Sequence, residues 1–96
     1  MASTPDPVRL SPNHRDTLRQ IRQHPTSHNV EWSKVLPLLQ QVGEVEHRHD
    51  GKYVVQLGGA TIVLERPKHK DLPTDDVVRL RRILEDAGYG EAAAGG

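Results

Sequence analysis

The segment Arg66-Pro67-Lys68-His69-Lys70 places three fixed cations and one imidazole in five consecutive positions. Fixed charge at that density suits phosphate, and a histidine among it can move a proton near neutral pH, so His69 is the leading catalytic candidate. The competing reading is a solvated loop with an incidental histidine, because charge runs usually mark wet faces. Arg79 and Arg82 stand three apart in a helical pattern and share one side, where Glu85 and Asp86 dilute their charge. Together with Lys52, Arg66, Lys68 and Lys70 they form the candidate phosphate-contacting set. Arg15, Arg19 and Arg22, at i, i+4 and i+7, make either a solvated face or a second phosphate-contacting ridge.

His47 and His49, two apart, would share one face of a strand and could begin a metal site. Structural zinc needs four ligands, and no spacing supplies the others, so neither a metal nor a cofactor is expected. His14, His24 and His28 fall at helix ends or in a linker without a nameable partner.

These side chains must be positioned by a small fold. Ninety-six residues make one domain, and with no Phe and only Trp32, Tyr53 and Tyr89 as aromatics the core must be aliphatic. The absence of cysteine rules out disulfides, thiolate catalysis and cysteine-ligated zinc. Thirteen basic residues balance thirteen acidic ones, so whole-chain charge gives no reason for a polyanionic partner; only local clustering can. No apolar run has membrane-spanning length, and MASTPDP lacks the basic-then-apolar order of a secretory signal, so a cytoplasmic protein without membrane contact is expected.

The firmest element is the ribbon formed by KYVVQL and ATIVLE around Gly58-Gly59. A two-residue turn there sets Leu57 opposite Ala60, Val55 opposite Ile62 and Tyr53 opposite Leu64, all on one core-facing side. A first strand over 44–49 precedes it. A strict Asp50-Gly51 turn would bury Glu46, whereas a three-residue Asp50-Gly51-Lys52 connection brings Val45, His47 and His49 to the core side.

Ser11-Pro12 predicts a capped helix over 12–23, and a second helix lies within 29–42 and ends at Gly43 as a C′ residue. Its start is open: an Asn29 cap leaves Pro37 in the interior, and a Ser33 cap makes Trp32 and Pro37 a hydrophobic staple. Thr74 caps a last helix that buries Val77, Leu80, Ile83, Leu84 and Ala87 and stops at Gly88. The fold class is α+β in two layers, a three-stranded antiparallel sheet with helices on one face, in the order α-α-β-β-β-α. Residues 1–10 read as a disordered arm, 11–90 as the domain and 91–96 as a disordered tail.

Over 32–89 the element order and several signatures resemble the HicA toxin family, small mRNA interferases of toxin–antitoxin pairs with a double-stranded-RNA-binding-domain-like fold. The matching pieces are WSKVLPLLQQVG, the turn and strand at DGKYVVQL, Pro67-Lys68-His69 and VVRLRRILEDAG, within a core at 29–89. The resemblance implies structured or double-stranded RNA as ligand, metal-independent cleavage and an antitoxin-like protein partner. In that family the second strand opens with Gly-Ser-His, whose histidine is held to catalyse; here the positions read Gly51-Lys52-Tyr53. A phenol stays protonated near neutral pH and is a poor base, so Tyr53 at the catalytic position implies RNA binding with the familiar activity lost. The alternatives are a ribonuclease using His69 or His49, and a non-catalytic protein-interaction module. Tyr53 also has a plain role, a core ring whose hydroxyl reaches a rim partner.

Overall fold

The computed structural model describes residues 10–89, which form α1 (Pro12–Ile21), α2 (Trp32–Val42), β1 (Glu44–His47), β2 (Lys52–Leu57), β3 (Ala60–Glu65) and α3 (Thr74–Asp86). The fold is α+β in the expected α-α-β-β-β-α order, with one antiparallel sheet of strand order β1-β2-β3. The expected tail and all but the last residue of the expected arm lie outside the described residues. That last residue, Leu10, is 7% exposed and joins the core, so it belongs to the packed domain and not to the arm.

The β2–β3 ribbon has the register its sequence requires. Leu57 faces Ala60, Val55 faces Ile62 and Tyr53 faces Leu64 across Gly58-Gly59. Of the two turn glycines only Gly58 has positive φ, at 61°, the pattern of a type II′ turn. Val55, Leu57, Ile62 and Leu64 are buried and Tyr53 half-buried, while Ala60, at the ribbon tip, is exposed. Lys52, Gln56, Thr61, Val63 and Glu65 alternate onto the wet face.

The loop of the first hairpin starts one residue earlier than expected, which moves each β1 residue two positions along β2 and keeps its face. Val45 pairs with Val55 and His47 with Tyr53, and the Arg48 N–H donates to the Lys52 carbonyl at 2.8 Å. The connection is therefore His49-Asp50-Gly51, three residues as expected but starting earlier. Its chemistry explains the choice: the Gly51 N–H closes a turn on the Arg48 carbonyl at 3.1 Å, Gly51 takes φ 84°, and the Asp50 carboxylate accepts from the Lys52 N–H at 3.1 Å. Only glycine enters that left-handed region without penalty, which pins the bulge to position 51. His49 consequently sits in the turn, exposed, and does not join His47 on the core side.

α1 starts as its sequence predicts, with the Ser11 hydroxyl accepting from the His14 N–H at 3.3 Å and Pro12 in the first turn, but it stops at Ile21. α2 begins between the two expected starts. Glu31 is its N-cap without a side-chain bond, and Pro37 lies inside the helix, where it cannot donate to the Ser33 carbonyl. Gly43 is not a left-handed cap: its backbone is extended, and a Cβ there would run into the Gln56 carbonyl oxygen. It is glycine because two backbones meet. α3 is capped by Pro73, with Thr74 already in the helix and Asp75 and Asp76 complementing the dipole. Its far end is a Schellman motif, with Gly88 at φ 98° and the Tyr89 N–H on the Leu84 carbonyl at 2.8 Å, which turns Tyr89 into the core.

The core joins the inner sheet face to Leu18 and Ile21 of α1, Trp32, Val35, Leu38 and Leu39 of α2, and Val77, Leu80, Ile83 and Leu84 of α3. No helix among the described residues is long and apolar enough to cross a membrane.

Candidate nucleic-acid interface

The basic loop is anchored by backbone pairing that its sequence does not advertise. The Trp32 N–H donates to the Lys70 carbonyl at 2.9 Å and the Leu72 N–H to the Val30 carbonyl at 2.8 Å, bracketing a bridge between Glu31 and Asp71. Val30 and Leu72 alternate inward and are buried, so each side of the bridge is held by core packing. Residues 66–69 must therefore span from the end of β3 to the first turn of α2. That end of the sheet also carries Lys52, which pairs with Glu65, and Arg48, which is bonded to Lys52 through the backbone.

Tertiary structure thus gathers Lys52, Arg66, Lys68, His69 and Lys70 at one end, and all five are exposed. Among the described residues Lys52, Arg66, Lys68 and Lys70 are without an ion pair. Asp50 spends one carboxylate oxygen on the Lys52 N–H, and Asp71 turns one oxygen inward, out of reach of water. His69 makes no hydrogen bond among the described residues, so nothing orients its ring. None of the described residues supplies the orienting partner that commonly holds a general base.

The other predicted cations do not all join this cluster. Arg79 pairs with Asp76 at 3.2 Å and donates to the Val63 carbonyl at 3.4 Å, on the free edge of β3. Arg82 lies further along α3, beside Asp86 and opposite Ala60 and Thr61 at the ribbon's other end. The α1 arginines do not act as one ridge: Arg19 pairs with Asp16 at 2.9 Å, and Arg22 reaches Glu85 of α3 at 3.0 Å.

What sequence reading missed is a stack of rings. His47 lies parallel to Tyr53, centroids 4.3 Å apart and planes 2° apart, and Trp32 meets Tyr53 edge-on at 5.0 Å. The signal was the corrected hairpin register, which makes His47 and Tyr53 direct cross-strand partners. The Tyr53 hydroxyl, expected to reach a rim partner, makes no hydrogen bond among the described residues. No group of three or more metal-ligating side chains is found among the described residues. The arrangement offers fixed cations for phosphate and oriented rings for flat π-systems.

No family model, curated protein or solved structure matches this chain.

Proposed function

We propose that this chain is an RNA-binding domain resembling the HicA toxins, holding RNA through its phosphates without depending on cleavage. The observation that carries the reading is the set of ion-pair-free cations Lys52, Arg66, Lys68 and Lys70 at one end of the sheet. Unpaired cations can release counterions from a phosphate backbone without first breaking an internal bond. Arg79 and Arg82 extend the surface along α3 as secondary contacts. Tyr53 at the family's catalytic position and the unoriented ring of His69 both favour binding over turnover.

The test is RNA affinity as a function of salt. Engagement of about four phosphates gives a slope of log K against log salt of about −3. Replacing Lys52, Arg66, Lys68 and Lys70 by alanine flattens it. Absence of binding at both low and raised ionic strength rejects the reading, and cutting of RNA that His69→Ala abolishes replaces it with an active ribonuclease.

A further inference from the structure

We infer that the His47–Tyr53 stack is a platform for one unpaired nucleobase, so that the preferred ligand is single-stranded or looped RNA and not continuous duplex. This rests on the RNA-binding reading above and names the part of the ligand that a charge cluster cannot specify.

The imidazole of His47 is exposed and lies within 2° of parallel to the ring of Tyr53. Tyr53 in turn is fixed by Trp32, a core residue 7% exposed, so the stack is built from the interior outward. Tyr53 covers one face of the imidazole, and no other ring or ion pair engages His47 among the described residues. β1 is the outer strand of the sheet, so the second imidazole face is turned to the side where no further strand follows. A flat ring held in one orientation, with one face open, stacks a third ring at little ordering cost.

The chemistry beside it selects what that third ring is. Arg48 follows His47 directly, and its backbone is bonded to Lys52, one residue before Tyr53. Lys52 alternates onto the opposite sheet face and Arg48 lies 3.9 Å from the Glu46 carboxylate, so the cations tied to the stack are those of the 66–70 loop, whose Lys70 carbonyl accepts the N–H of Trp32, the residue whose ring meets Tyr53. A base lying on the ring can then turn a neighbouring phosphate toward that loop. Bases inside a duplex have both faces covered by their own neighbours, so away from a helix end only an unpaired nucleotide can use this surface.

The experiment uses a short single-stranded RNA carrying one 2-aminopurine and a blunt duplex of the same sequence, with the full chain and its His47→Leu and His47→Trp variants. The expected result is tighter binding of the single strand, quenching of 2-aminopurine on binding, and a loss of about fivefold or more in His47→Leu with the salt slope unchanged. His47→Trp, which restores a ring, recovers the affinity and shows that any loss in His47→Leu is not misfolding. Equal affinity of wild type and His47→Leu, or equal binding of strand and duplex, overturns the platform while leaving RNA binding intact. No binding of either RNA by the wild type overturns both.

Discussion

His47 and Tyr53 face each other across β1 and β2 with their rings parallel and 4.3 Å apart. The contact ties an exposed imidazole to the core through Trp32, and it depends on the ring of Tyr53, not on its hydroxyl. Tyr53→Phe should therefore change unfolding free energy by less than about 0.5 kcal/mol, as an uncoupled surface change does. Tyr53→Ala, which removes a half-buried ring and both its partners' contacts, should cost about 2 to 3 kcal/mol. Urea denaturation of the two variants separates these outcomes, and equal losses would refute the assignment.

The anchor of the basic loop is apolar. Leu72 is 3% exposed beside the bridge that binds Lys70 to Trp32. Leu72→Ala should lower stability by about 2 to 4 kcal/mol. It should also speed hydrogen exchange at the Trp32 and Leu72 amides before that at the amides of Val55 and Leu64. Uniform acceleration across all four would mean the loop is not a separately held element.

The glycines separate by mechanism. Gly58 has φ 61° and a Cβ there would stand 3.2 Å from Ala87 Cβ, whereas a Cβ at Gly59 meets nothing within 4 Å. Gly58→Ala should cost about 1 to 2 kcal/mol or more and Gly59→Ala should stay within about 0.5 kcal/mol. Gly43→Ala, whose Cβ collides with backbone at Gln56, should be the most damaging of the three. Thermal unfolding of the series gives the order directly.

Arg22 and Glu85 join α1 to α3 at 3.0 Å, with side chains 21% and 46% exposed. The half-exposed carboxylate is screened by water, so Glu85→Gln should cost no more than about 1 kcal/mol, shrinking as salt is added. A loss that is salt-independent would point to packing in place of charge.

The pattern of alternation and turn residues determined most of the sheet. Gly58-Gly59 between two alternating runs leaves one register that buries Val55, Leu57, Ile62 and Leu64 together, and the structure has it. Ser11-Pro12 likewise placed the start of α1 because its cap is a local bond. Local chemistry was legible at these two places, but not at the turn around Gly51 or at the start of α3, where adjacent positions compete for the same role.

Partners distant in sequence were not legible. The choice of His49-Asp50-Gly51 over Asp50-Gly51-Lys52 turns on which position takes positive φ once Val45 must face Val55. The glycine at position 43 answers to a carbonyl on another strand, and α2 starts at Trp32 because Lys70, far along the chain, accepts its N–H. The candidate site divides the same way. The sequence alone shows the density of charge from Arg66 to Lys70, but the meeting of that loop with Lys52 and the stacking of His47 on Tyr53 arise only when strands pair. Periodicity records which face a side chain takes; only closure of the chain decides what it will face there.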